Sequence, residues 1–210
     1  MKLTHLTALL AGVAVVAFAS GAAFTEDKPK PKPLTVAEVE AKMFQMGSPG
    51  AEHELLKRFI GTWVNEGVAY TESMGEFPIR GETTFKSIMG GRFLAADYKG
   101  PPGPMGLIVG TGHMGFDRMA GEFVSTWMMS MGTGIETYRG SWDAATKTLT
   151  MHGTKKLPGG NAWPIRQAIT FESADKVIET HYMTPASTGK EQISAKMSYT
   201  RKAAKPTTGK

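Results

Sequence analysis

The chain has 210 residues, 41% hydrophobic and 20% charged, with 25 glycines, 12 prolines and no cysteine. That length supports one hydrophobic core and is thin for two, and the composition excludes both wholesale disorder and a multi-span membrane protein. The formal charge of +5 sits in the flanks: with Lys2, Lys28, Lys30, Lys32, Lys202, Lys205 and Lys210 set aside, 17 basic and 17 acidic residues remain between Pro33 and Arg201. A nucleic-acid-binding domain carries its excess on the folded body, so no nucleic-acid partner is expected.

Residues 1–23 read as an export signal. Lys2 supplies the positive charge, Leu6 to Phe18 is an uncharged apolar run, and Ala17-Phe18-Ala19 and Gly21-Ala22-Ala23 fit small-x-small cleavage sites. Cleavage leaves no stable membrane span, whereas a retained segment reaching Thr25 is just long enough to anchor the chain. Without cysteine, lipid attachment, disulfides and thiolate metal sites are ruled out together. The expected compartment is a bacterial periplasm or cell envelope. Residues 24–34 alternate Lys with Pro, a composition that extends the backbone toward polyproline II and keeps it solvated as a linker. Residues 202–210 form a basic tail with nothing to bury.

Two helices are predicted next. Thr35-x-x-Glu38 has the form of a capping box ahead of Val39, Met43 and Phe44, which places the first over 35–47. Ser48-Pro49 offers a capping residue before a proline at the first helical position. Leu55, Leu56, Phe59 and Ile60 then follow at 3–4 spacing until Gly61 ends that second helix.

From Thr62 the period becomes two. Trp63, Asn65, Gly67 and Ala69 alternate with Val64, Glu66, Val68 and Tyr70. Further strand-like runs cover 82–89, 92–98, 107–116, 122–131, 135–142, 148–155, 164–172, 177–183 and 191–201. Turn signals separate them, notably Gly90-Gly91, Pro101-Pro102-Gly103-Pro104 and Pro158-Gly159-Gly160-Asn161. Asp117–Gly121, Asp143–Lys147 and Ser173–Lys176 are short polar turns of the kind that close hairpins. A long meander avoids exposed edges by closing on itself. The expected fold is therefore all-β: a closed antiparallel meander barrel of about 8–10 strands over residues 48–201, with one or two N-terminal helices covering an opening. In the last strand Ile193, Ala195, Met197, Tyr199 and Arg201 share the inward phase. Where the first and last strands meet, Arg201 then lies over the Trp63 ring as a cation–π contact.

Gly-x-Trp at the first strand with an Arg near the end of the last is similar to the signature of lipocalin-like (calycin-type) barrels. The wider pattern resembles one bacterial group, the domain of unknown function family 1579. It rests on His53-x-x-Leu56-x-x-x-x-Gly61-Thr62-Trp63, Gly90-Gly91-Arg92-Phe93-Leu94, Gly115-Phe116-Asp117, Ser125-Thr126-Trp127, Met131-Gly132-Thr133-Gly134 and Tyr199-Thr200-Arg201-Lys202. The resemblance covers about residues 50–202 and implies an exported or envelope β-barrel, with no activity attached. Met129 departs from it, since the family tends to place an acidic residue after the tryptophan.

Several motifs suggest chemistry and fail on inspection. Gly110-Thr-Gly112-His-Met-Gly115 fits G-x-G-x-x-G, but a dinucleotide site needs a helix to open there, and Phe116-Asp117 leads instead into a turn and a strand. Glycines relieving crowding in a curved strand explain it better. His53-Glu54 lacks the second histidine of a zinc peptidase, because position 57 is Lys57. His113, His152 and His181 lie on separate runs. Met128-Met129-Ser130-Met131 puts only two thioethers on the Trp127 face, too few for Cu(I) without a third ligand. Gly61-Thr-Trp63 also resembles the start of nitrobindin-like haem proteins, but the last strand holds no histidine. No cofactor or metal is expected. No Gly-x-Ser-x-Gly elbow is present, and binding is expected rather than catalysis.

Taking the apolar phase as inward, the interior holds Trp63, Asn65, Phe85, Phe123, Ser125, Trp127, Met129, Leu149, Met151, Ile165, Gln167, Ile169, Met197 and Tyr199. Apolar walls with a few polar groups are what a small-molecule pocket needs. The candidate ligand-binding residues are Asn65, Phe85, Trp127, Met129, Gln167 and Tyr199, with Trp63 and Arg201 structural and a small, largely apolar molecule as the partner. Two rivals stand beside this reading: a barrel filled solid by side chains, and an enzyme in which titratable residues such as Glu66, His113 or His181 meet inside an open cavity.

Overall fold

The computed structural model describes residues 32–72, 75–103 and 106–203. The leader at 1–23, most of the Lys/Pro linker and residues 204–210 of the tail lie outside them. Contacts divide the chain into Met1–Thr35 and Val36–Lys210. Of the first unit, the described residues carry no regular structure, and the following concerns the second.

Two helices, α1 (Val36–Met46) and α2 (His53–Lys57), precede ten strands. These are β1 (Gly61–Thr71), β2 (Gly75–Ile88), β3 (Phe93–Gly103), β4 (Gly106–Asp117), β5 (Glu122–Met129), β6 (Glu136–Asp143), β7 (Thr148–Lys156), β8 (Ala162–Phe171), β9 (Lys176–Met183) and β10 (Gln192–Arg201). Every strand pairs antiparallel with its neighbours in sequence, and β10 returns to β1 to close the barrel. No described helix is long and apolar enough to cross a membrane.

Four expectations change in detail. The second helix is one short segment starting at His53, not at Ser48-Pro49, because Gly50 and Glu52 first form a turn in which His53 N–H donates to the Gly50 carbonyl at 3.1 Å. Gly61 does not end it; with φ +123° that glycine opens β1. Strand β2 begins at Gly75, seven residues before the predicted run, and β3 runs on through Pro101-Pro102. A register shift between Lys99 and Pro102 admits the prolines, since proline cannot donate to a regular ladder.

Residues opposite each other on paired strands share a face. The interior can therefore be followed round the barrel from Arg201 to Trp63, Thr83, Tyr98, Gly110 and Met129. The interior residues expected from alternation lie on this face with one exception: a register shift between Ile193 and Ala195 sets Ile193 opposite the outward Tyr182 and leaves it exposed, so the inward phase of the last strand begins at Ala195. At one end the interior is plugged. Leu55, Leu56 and Phe59, from α2 and the turn after it, are buried against Trp63, Leu149 and Phe171. The Phe59 ring meets Phe171 edge-on at 4.9 Å and Phe85 at 5.5 Å. Trp63 Nε1 donates to the Phe59 carbonyl at 2.6 Å, which fixes the plug to the first strand. Burying Leu56 and Phe59 stabilises the fold by about 1.5–3 kcal/mol each.

Of the two predicted covering helices, only α2 enters the core; α1 buries no side chain. The C-terminal end of α1 is tied to the barrel by Arg92 Nε donating to the Gly47 carbonyl at 2.8 Å. Arg118 Nη1 likewise donates to the Gln45 and Ser48 carbonyls, both at 3.1 Å. His53 accepts from the Gly50 N–H at Nδ1, 3.0 Å away, and turns its edge to Phe116. Burial lowers its pKa and keeps it neutral, the form in which Nδ1 can accept from Gly50.

Candidate functional site

Strand β9 carries the chemistry of the interior. Its alternation sends Val177, Glu179, His181 and Met183 inward, opposite Ile169 and Gln167 on β8 and Met197 and Tyr199 on β10. A carboxylate inside a barrel is costly unless it is paired. Here His181 Nε2 stands 2.8 Å from Glu179 Oε1, an ion-pair distance although outside hydrogen-bonding alignment. The Tyr199 hydroxyl also stabilises the Glu179 carboxylate, and the Asn65 amide acts on Tyr199 in the same sense. The register explains the last contact, because Asn65 sits directly opposite Tyr199.

A second pair lies toward the unplugged end. Tyr138 donates its hydroxyl to Glu136 Oε2 at 2.7 Å, and Lys155 Nζ is 3.1 Å from Glu136 Oε1. Glu136 and Lys155 are 30% and 48% exposed, against 12% for Glu179, so solvent reaches the interior from this mouth. Trp127, Met129, Trp163 and Met183 share the inward face at the same end and are partly exposed. The mouth is thus apolar and aromatic, and polar groups stand beneath it.

Electrostatics bind the two pairs into one network. Burial disfavours charge on His181, but the Glu179 carboxylate, helped by Glu136, overcomes it and raises the imidazole pKa. Burial likewise opposes ionising Glu179, and His181 with the Tyr199 hydroxyl outweighs it, lowering the carboxyl pKa. Both shifts run in the direction that favours the ionic form of the pair. Burial and the adjacent carboxylates push the Tyr138 and Tyr199 hydroxyls well up, so both remain donors. Asn65 Oδ1 is fully buried and has no donor. Gln167, 9% exposed, makes no hydrogen bond to another described residue.

Open space differs at the two ends. Beneath the network, Phe59, Trp63, Phe85, Ile169, Val177, Glu179 and Tyr199 line a partly open space of about 20 Å³, room for one water-sized group. A much larger open depression of about 740 Å³ lies against β2–β5, where Glu82, Lys86, Asp97 and Lys99 face outward. Its charges are mixed and solvated.

Of the six candidate residues, Trp127 and Met129 stand on the mouth wall, Gln167 faces His181, and Asn65 and Tyr199 form a deep cross-strand pair. Phe85 belongs to the plugged end beside Phe59. Glu66 and His113 do not join His181, because both occupy outward phases and are exposed. Glu136, Tyr138, Lys155 and Glu179 were not anticipated. Their signal was alternation in the 135–142, 148–155 and 177–183 runs, which places these four in the inward phase. Among the described residues no three His, Asp or Glu groups gather as a metal site. The G-x-G-x-x-G segment lies within β4, where a Cβ on Gly110 or Gly112 would stand 2.5 or 2.8 Å from the Trp127 indole. Those glycines make room for the mouth tryptophan and bind no phosphate loop.

The family profile described as "Protein of unknown function (DUF1579)" matches residues 48–201. No curated protein matches the chain. Among solved structures, Rv2717c from M. tuberculosis is similar at TM-score 0.55 and 15% identity, covering 74% of this chain and 100% of its own. The S-type phycobiliprotein lyase CPES from Guillardia theta follows at TM-score 0.51 and 10% identity, covering 77% and 98%. At such identities the likeness is one of fold.

Proposed function

The chain belongs to the DUF1579 family of proteins of unknown function, and on that footing we propose that it is an exported barrel that takes a small, largely apolar molecule into its lumen. The observation that carries this reading is the polar network of Asn65, Glu179, His181 and Tyr199 held below a partly exposed apolar mouth. A barrel whose only task is to be packed has no use for an inward-facing, half-buried ion pair, which a well-shaped apolar core replaces at little or no cost. Trp127 and Met129 form the walls. Gln167 supplies a free amide to orient the ligand, and flexible methionines at 129, 183 and 197 let the lumen adapt to it. Export is supported by the leader-like segment at 1–23.

The test is native mass spectrometry of protein isolated from its own cells, alongside Trp127→Ala and Gln167→Ala. A bound small molecule carried by the wild type and lost from either variant supports the assignment. A ligand retained by both variants contradicts it.

A further inference from the structure

The lumen's charges are already balanced. Glu179 is matched by His181 at 2.8 Å and Glu136 by Lys155 at 3.1 Å, and no other described inward-facing charge lies between the mouth and Arg201 at the plugged end. A ligand bearing a carboxylate or an ammonium would leave one charge over in a site with little solvent to screen it. The hydrogen-bond inventory is not balanced in the same way. Tyr138 spends its proton on Glu136 at 2.7 Å, and the Tyr199 hydroxyl stabilises the Glu179 carboxylate. That leaves Asn65 Oδ1, in a residue only 1% exposed, as an acceptor with no donor. Buried acceptors are rarely left so. The space of about 20 Å³ beside Glu179 and Tyr199, the residue opposite Asn65, admits one oxygen or nitrogen atom and little more, although Asn65 itself does not line it.

From the register that brings Asn65, Tyr199 and Glu179 together and the unfilled Asn65 oxygen, we infer that the lumen selects an uncharged amphiphile: an apolar body ending in a single neutral hydrogen-bond donor, a hydroxyl or an amide N–H. This rests on the lumen-binding reading above and adds the class of ligand. The apolar body lies against Trp127 and Met129, and the donor reaches inward to the acceptors of Asn65 and Glu179. A buried acceptor rejects a ligand lacking the matching donor more strongly than an apolar wall rejects a change in shape.

Four naphthalenes of one shape decide the matter: 2-naphthol, 2-methoxynaphthalene, 2-naphthoate and 2-naphthylmethylammonium, titrated against the full mature chain. The expected order has 2-naphthol binding about tenfold more tightly than the methyl ether, with both ions weaker than the naphthol. In Asn65→Leu the naphthol advantage falls to about threefold or less, while methyl-ether binding persists and reports a folded lumen. Asn65→Asp, which keeps the acceptor and adds a charge, moves the preference to the ammonium. Equal binding of naphthol and its ether by the wild type, or a preference for either ion, overturns this inference and leaves lumen binding intact. Binding of none of the four overturns the lumen reading itself. If Asn65→Leu does not fold, the order among the four ligands on the wild type decides the question alone.

Discussion

Arg201 on the last strand stacks on Trp63 of the first, its Cζ 4.1 Å from the indole centroid. The same guanidinium donates to the carbonyls of Ile60 at 2.6 Å and Arg58 at 2.8 Å, reaches the Ala174 carbonyl, and pairs with Asp175. One side chain therefore joins the barrel seam, the plug and the β8–β9 turn. Replacing Arg201 with Ala should cost about 2–4 kcal/mol, the sum of a cation–π contact and charge-assisted hydrogen bonds to groups left unpaired. Lys should recover less than half of it, because an ammonium cannot span the carbonyls that the planar fork reaches. Urea unfolding of the three proteins measures both.

Gly112→Ala should destabilise the barrel by about 1–3 kcal/mol and alter the Trp127 environment. A Cβ there runs into the Thr126 carbonyl and stands 2.8 Å from the indole, so β4 and β5 must part or the ring must turn. Chemical unfolding gives the first effect and near-ultraviolet circular dichroism the second. By contrast, Gly132→Ala, with nothing near its Cβ, should change neither.

Alternation located the interior because each core strand is wet on one face and dry on the other, a contrast visible in single residues such as Trp63 and Val64. Closure was legible from Trp63 and Arg201, whose phases agree only when the end strands pair. What escaped is the part where alternation and polarity disagree. Glu179 and His181 are in phase with Val177, but a charged pair on an inward face is tolerated because polar groups on β1 and β10 stabilise it, and those groups are more than a hundred residues away or on the next strand. The short α2 was overestimated for a related reason: Leu55, Leu56 and Phe59 are spaced to suit a helix, yet the last of them is buried from a turn.

The Glu179–His181 pair predicts a particular pH behaviour. The His181 pKa is raised in the fold, so its stabilising share is complete below about pH 6.5 and disappears as pH rises through the folded value. That of Glu179 is lowered, so its share is complete above about pH 4.5 and disappears as pH falls through its folded value. The pair therefore contributes most between those limits. In Glu179→Gln the imidazole should titrate at lower pH than in the wild type, since burial remains and the principal carboxylate is gone. Carbon-13 or proton NMR titration of His181 reads this directly, and an unchanged midpoint would separate the two residues.

His53 should behave in the opposite sense. Its pKa is lowered by burial, so its contribution is intact above about pH 6.5 and is lost as pH falls through the folded value. His53→Leu should remove this acid-side loss while costing about 1 kcal/mol at neutral pH through the unpaired Gly50 N–H. Melting temperature against pH for both proteins checks it.

The central claim is that ligands enter the lumen, not the broad depression against β2–β5. The most direct measurement is a two-dimensional NMR titration with 2-naphthol. The account predicts shifts at the Trp127 indole N–H, the Gln167 amide and the His181 ring. Shifts confined to Lys86, Thr111 and Met128 on the outer face, with the lumen signals still, would contradict it.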